Sequence, residues 1–378
     1  MSSKTIYFPG LNGLRALAAL SVVVFHLTVD FETFNLSPFL FGVMPDGKPK
    51  GFAMAGFGVT IFFALSGFLI TYLLLAEKEK QEINIKNFYL RRILRIWPLY
   101  YLYLIAALVV IFYFGLRFDG GTLLLYIFYA ANIPFIFENI PFITETTLPF
   151  LRHYWSLGVE EQYYLFWPWV VKKIKRGLEW FVIGFIVVFI ILKCYFHFFH
   201  MHTIAAASFN VIRFDCMLIG SLGAIYYFNK KEWLIRLLTS KITQALCWLV
   251  IGLILLNKFH IASVIDHEFI SMVTVAIILG QITIKNRLIN LDNAVCDFLG
   301  KISYGMYIIH PLVIFFSARW FKGLQWPDLP KYIFIYVFVT GVTIILSWLS
   351  YEYIEKWFLT LKSKFAAVKS SNSRPVAE

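Results

Sequence analysis

Long apolar runs alternate with short polar connections along the whole chain. Runs near the ~20 residues needed to cross a hydrocarbon core of about 30 Å fall at about 11–29, 56–76, 96–115, 154–171, 179–197, 209–228, 243–258, 268–284, 303–321 and 331–354. An eleventh run, about 121–137, is short and ends in Asn132-Ile133-Pro134. Loop charge decides its status. If 121–137 does not cross, 23 positive loop residues fall on one side and 5 on the other. If it crossed, the run Lys172, Lys173, Lys175 and Arg176 would land outside, against the positive-inside rule. The pattern predicts an all-α membrane protein, a polytopic bundle of about ten transmembrane helices. Both the N and C termini are then cytoplasmic, and 121–137 is re-entrant or lies at the outer face.

Composition supports that reading. Hydrophobic residues are 60% of the chain and charged residues 15%, whereas a soluble domain carries about 25% charged residues. Phe occurs 40 times, which suits a lipid-facing exterior. The net charge of +12 does not point to nucleic acid, because the positives cluster in short loops between apolar runs. Cys194, Cys216, Cys247 and Cys296 are widely spaced without a C-x-x-C, so no disulfide framework or zinc site is expected. Arg15 and His26 interrupt the first run, which reads as an uncleaved span rather than a signal peptide. Residues 1–360 form the expected membrane domain and 361–378 a polar cytoplasmic tail, expected to be disordered. With no soluble catalytic domain expected at either end, the chemistry is assigned to the bundle. The chain has no P-loop, H-E-x-x-H or G-x-S-x-G.

An ionisable residue within a span is costly and is therefore a functional candidate. Arg15 and His26 are 11 positions apart, three helical turns plus about 20°, so they share a face about 16 Å apart along the axis. Arg15 falls near the cytoplasmic mouth and His26 in the outer half; the plain alternative is a snorkelling arginine and a hydrogen-bonded structural histidine. Arg91, Arg92 and Arg95 precede Trp97-Pro98. At i,i+3 and i,i+4 spacing their guanidinium forks suit the phosphates of a nucleotide-like ligand, although ordinary positive-inside topology explains them too. The span that opens with Trp155-Ser156 carries Glu160 and Glu161, directed about 100° apart. By depth, Glu160 can meet His26 and orient its imidazole; Asp30, four residues after His26, is the alternative orienter.

Other polar groups are less decisive. Ser66-Gly67 fits close helix packing. Arg213 and Asp215 read as a structural pair or a cavity mouth, His310 as a kink histidine before Pro311, and Glu352 and Glu355 as partners for loop arginines. His197, His200 and His202 cluster without carboxylate or thiolate neighbours, so no metal site is expected.

Several segments in order resemble the acyltransferase-3 family of membrane acyltransferases, which includes bacterial O-antigen and peptidoglycan O-acetylases. They are Leu11-Asn12-Gly13-Leu14-Arg15 through His26, Phe62-Phe63-Ala64-Leu65-Ser66-Gly67-Phe68-Leu69, Arg92-x-x-Arg95, Trp155-Ser156-Leu157 with Glu160 and Tyr163-Tyr164-Leu165, Arg213-Phe214-Asp215, and Ser303-Tyr304-Gly305-Met306-Tyr307 with His310-Pro311. The resemblance covers about residues 5–358. It departs from the family at Asn12, where Asp is common, which argues against an essential carboxylate there. No fused extracytoplasmic esterase-like domain is seen, so transfer to the final acceptor is expected to rely on the bundle or a separate partner.

The resemblance implies transfer of an acyl group, typically acetyl, from cytoplasmic acyl-CoA to a hydroxyl of an extracytoplasmic glycan or lipid-linked sugar. Arg15, Arg92 and Arg95 would hold the phosphates of acyl-CoA, a co-substrate rather than a bound cofactor. His26 would be a general base or transient acyl carrier and Glu160 its orienter, with Asp30, Ser66, Trp155, Ser156, Arg213 and Asp215 in support. Acetyl-CoA, an extracytoplasmic carbohydrate acceptor and the lipid bilayer are the expected partners; nucleic acid is not, and a homodimer stays open. The expected location is the cell inner (cytoplasmic) membrane, multi-pass. The rival reading is a proton-coupled secondary transporter using His26 and Glu160 as a relay, although no repeated halves are visible.

Overall fold

The computed structural model describes residues 5–43, 47, 49, 52–140, 146–368 and 370–371. Lys4, Lys48, Lys50 and most of the terminal Ser/Pro stretch lie outside the described residues. Helices occupy all ten expected positions: α1 (Leu11–Val29), α2 (Phe52–Lys80), α3 (Ile85–Tyr113), then α4 (Gly120–Ile127) and α5 (Asn132–Glu138), α6 (Trp155–Lys173), α7 (Leu178–Phe199), α8 (Ile204–Ile212), α9 (Phe214–Phe228), α10 (Glu232–Leu238), α11 (Lys241–Leu255), α12 (Asp266–Thr283), α13 (Ala294–Phe321), α14 (Asp328–Ser350) and α15 (Lys356–Ser363). Among the described residues, seven helices or continuous helical stretches are long and apolar enough to cross a membrane, and α10–α11, bent by 51°, makes an eighth if it counts as one span. The protein is thus an all-α polytopic membrane protein. The segment 121–137 breaks into α4 and α5, with Tyr129 in the left-handed region between them. At about 1.5 Å per residue neither piece reaches across a bilayer.

Several helices overrun the apolar runs that predicted them. The Asn84 side chain accepts a hydrogen bond from the Asn87 amide and starts α3 eleven residues before the expected span. Asn293 does the same for α13 through the Cys296 amide. As a result Arg91, Arg92 and Arg95 lie on regular helix rather than in a loop. The bundle centre is held by close backbone approach. A Cβ at Gly67 of α2 would lie 1.9 Å from the Met217 carbonyl oxygen, and one at Gly220 of α9 would lie 2.1 Å from that of Ala64. A side chain at either position would force the pair apart, as at small-residue contacts between membrane helices. The periphery differs: α7 exposes Trp180, Val188, Ile191, Phe198 and Phe199.

The expected disorder from residue 361 does not extend to the tail's first part. α14 continues through a π-helical turn (Tyr351–Glu355) into α15. The strand Ser370–Ser371 then pairs in parallel with Ile6–Tyr7. Arg91 anchors this return by donating to the Phe365 carbonyl at 2.8 Å, and Val368 is buried. Glu352 and Glu355 do not pair with loop arginines: Lys356 donates to Glu352 at 2.7 Å, and Ser350 donates to Glu355 at 3.2 Å.

Candidate active site

A cavity opens at the Arg15 end of α1, walled by α1, α2, α3, α6 and α13, with Ile6–Phe8 and Lys362 at its rim. Arg15, Arg92, Arg95 and Lys362 all line it. Arg92 and Arg95 are brought to one wall by their i,i+3 spacing, whereas Arg91 turns aside to pair with Glu77 at 2.9 Å. The sequence grouped Arg91 with Arg95; the structure gives Arg91 to packing. Arg15 donates to the Asn12 side-chain oxygen at 3.1 Å, and Asn12 in turn donates to Asp297 at 3.3 Å. A carboxylate thus stands one residue behind the position where the family commonly has Asp. The Arg92 guanidinium lies over the rings of Phe88 and Tyr164, 5.8 and 5.6 Å from their centroids, and its Nε has no hydrogen-bond partner. Among the described residues, none of the four lining cations forms an ion pair with a carboxylate. Like charges gathered in a low-dielectric wall repel one another, and an anion between them removes that repulsion.

Deeper in, Glu160 accepts hydrogen bonds from Ser66 and Tyr164. Its neighbour Glu161 points elsewhere, with one buried oxygen unpartnered. The cavity ends at Ser156 and Tyr307, whose hydroxyls are 2.6 Å apart; Tyr307 also lies 2.8 Å from the His153 carbonyl, to which it donates. Ser303 and Tyr304 line the α13 wall, and Tyr304 donates to the Ile96 carbonyl at 2.8 Å.

His26 lies beyond this end wall. Its Nδ1 is 2.7 Å from Nε2 of His310, and the two rings stack with centroids 5.0 Å apart. The ring of His153 packs edge-on against His310 at 5.3 Å. His153 and His310 are buried and His26 is half-buried. Two sequence expectations change. The hydrogen-bond neighbour of His26 is His310, four helical positions after Met306, rather than Glu160 or Asp30. The basic entrance and His26 are not one open passage either, because Tyr307 and Ser156 stand between them.

The remaining candidates support the walls. Trp155 stacks on Phe135 with the rings 6° from parallel and carries the Arg213 guanidinium 5.3 Å above its ring. Arg213 does not bridge to Asp215 as expected; it donates to the Asn210 and Gly56 carbonyls. Asp215 faces Glu268 instead, which Lys193 holds at 2.7 Å with both partners buried. The sequence overlooked Lys362, hidden in a tail taken as unstructured, and Lys193, which falls in one of the most apolar runs. It read His310 as a kink histidine and did not use the Tyr307-x-x-His310 spacing that puts both on one face of α13.

The site is a cavity in a membrane bundle, lined by Arg15, Arg92, Arg95 and Lys362 with Glu160 as its lining carboxylate, and His153, His310 and His26 lie behind Tyr307. The acyltransferase-3 family model, described as an acyltransferase domain, matches residues 8–352, and the chain belongs to that family. A provisionally named O-acetyltransferase of Staphylococcus aureus (strain COL) is 26% identical over 98% of this chain and 60% of its own length. The peptidoglycan O-acetyltransferase OatA of Listeria monocytogenes is 36% identical over 43% of this chain and 24% of its own. The O-acetyltransferase OatA of Staphylococcus aureus (strain NCTC 8325) is 25% identical over 92% and 57%, respectively. The chain therefore spans less than two thirds of the length of the curated relatives it matches. No solved structure matches it.

Proposed function

We propose that the protein is a membrane O-acyltransferase, moving an acetyl group from acyl-CoA to a hydroxyl on the opposite side of the bilayer. The observation that carries this reading is the convergence of Arg15, Arg92, Arg95 and Lys362 on one cavity whose single lining carboxylate is Glu160. Guanidinium forks bind phosphate oxygens in pairs, and the phosphates of CoA are the matching anion. The cavity then directs the pantetheine arm past Ser66 and Glu160 toward Tyr307. The acceptor, a carbohydrate hydroxyl as in the peptidoglycan named for the Listeria relative, approaches His26 from the other end. His26 takes the hydroxyl proton as the oxygen bonds to the acyl carbon; the C–S bond breaks, and the leaving thiolate receives that proton. For the two ends to meet, Tyr307 must swing aside with Ser156, so the end wall separates donor from acceptor until both are bound.

Purified protein in proteoliposomes, given radiolabelled acetyl-CoA on the basic side and a glycan acceptor on the other, tests the reading. Labelled acetyl ester on the acceptor, lost with His26→Ala, is the expected result. Acetylation that survives His26→Ala removes His26 from the chemistry. Flux of intact substrate without ester formation supports the transporter instead.

A further inference from the structure

We propose that His310 is a positioning residue that fixes the tautomer of His26, leaving His26 Nε2 as the bare, basic nitrogen. The inference rests on the reading that His26 handles the transfer, and its geometry is independent of that reading. His310 Nδ1 lies 3.0 Å from the Met306 carbonyl oxygen. A carbonyl only accepts, so Nδ1 of His310 carries the proton. His310 is wholly buried, and no carboxylate contacts any of the three rings among the described residues. Nothing offsets the desolvation of a second buried charge there, so the ring is neutral. Its Nε2 is then a lone pair, and the group 2.7 Å away, His26 Nδ1, must be the donor. His153 does not compete, because its ring meets His310 edge-on and neither of its nitrogens bonds His26 or His310. One backbone carbonyl thus dictates, through two imidazoles, which nitrogen faces substrate. Pro311 helps: lacking an N–H, it leaves the neighbouring Tyr307 carbonyl without its helical donor, at the turn where His310 bonds back to Met306.

Once His26 Nε2 has taken a proton from the acceptor, its Nδ1–H stays directed at His310 Nε2, so the imidazolium that forms is met by a lone pair rather than by hydrocarbon. This is the part a carboxylate plays behind the histidine of a serine hydrolase, played here by a neutral ring.

The test is 15N NMR of histidine-labelled full-length protein in nanodiscs, with the His26 signals assigned by their loss in His26→Gln. Protonated Nδ1 and bare Nε2 are expected at His26, with a shift toward mixed tautomers in His310→Leu. A bare Nδ1 at His26 in the unaltered protein, or an unchanged signature in His310→Leu, overturns the proposal. In the transfer assay His310→Leu should lower kcat about 10²- to 10⁴-fold with the KM for acetyl-CoA unmoved. His310→Gln, which keeps an acceptor, should restore much of kcat. Because the tautomer is read in the unaltered protein, a poorly folded His310→Leu does not decide the matter. If His26→Gln still acetylates while the tautomer is as stated, the transfer reading fails and the positioning geometry stands.

Discussion

Two clusters of ionisable side chains lie inside this bundle, and they differ in one respect. At α7, α9 and α12, Lys193 reaches Glu268 at 2.7 Å, and Glu268 faces Asp215, all buried. Lys193 and Glu268 form an ion pair made entirely within the chain. At the α1–α3 end, Arg15, Arg92, Arg95 and Lys362 line one cavity with a single lining carboxylate, Glu160, and among the described residues none of them makes an ion pair. Desolvating a charge costs several kcal/mol unless it is paired, so the first cluster offsets that cost with an ion pair, whereas the second sets four cations against the one carboxylate that lines its cavity. Charge in a membrane span is therefore too coarse a marker of function. The informative feature is an excess of one sign of charge around a cavity.

The largest effect should come from opening the closed cluster. Lys193→Met strands two buried carboxyls and should cost about 3–5 kcal/mol of stability, read as a large fall in thermal midpoint and yield. Lys193→Met combined with Glu268→Met should recover much of it. A single variant as stable as the unaltered protein would mean that the cluster is reached by water.

Next in size, Arg92→Ala and Arg95→Ala should each weaken acetyl-CoA binding by about 10- to 100-fold, since a hydrogen bond to a charged group is worth about 1.5–3 kcal/mol. Their effect on stability should have the opposite sign to that of Lys193→Met: unchanged or raised, because mutual repulsion falls. Calorimetric titration and thermal melts on the same samples check both. Unchanged affinity in both variants would reject the phosphate role.

A smaller effect is expected at the partition. Tyr307→Phe removes the hydroxyl that joins Ser156 to the His153 carbonyl. Losing a neutral hydrogen bond of about 0.5–1.5 kcal/mol should change kcat by about 3- to 10-fold and leave acetyl-CoA affinity alone. A fall in affinity without a change in kcat would make Tyr307 a wall of the donor site instead.

The distribution of apolar runs made the bundle legible, because a span must be long and continuous to satisfy its backbone in lipid. The membrane class could be read in that way, and Arg15, Glu160 and Ser66 stood out as polar where hydrocarbon is expected, whereas Arg92 and Arg95 stood out as a loop cluster at helical spacing. What could not be read was pairing. Depth alone put Glu160 near His26, but helix rotation in the bundle turns Glu160 to Ser66 and Tyr164, and His26 to His310. The α2–α9 contact helps set that rotation through Gly67 and Gly220, whose role depends on what lies opposite. Arg213 and Asp215 illustrate the same limit: two positions apart, they look like a pair, yet a left-handed turn at Arg213 (φ 44°) sends them to different neighbours.

Lys362 offers the finest division between the two clusters, because it is the cavity-lining cation that the polar tail concealed. It reaches the cavity because the π-turn at Tyr351–Glu355 carries the last helix on into α15, and π-turns recur at functional positions. Lys362 is half-buried, and a lysine head is a point charge on a flexible stem rather than a fixed fork. Lys362→Met should therefore weaken acetyl-CoA only about 3- to 10-fold, near the ~1 kcal/mol of a partly exposed ion pair. Screening offers the sharper reading: raising salt should erase most of the difference between Lys362→Met and the unaltered protein. The differences made by Arg92→Ala and Arg95→Ala, deeper in the wall, should persist. Should Lys362→Met bind as tightly as the unaltered protein at low salt, the cation ring has three members, and α15 covers the cavity without helping to hold what enters it.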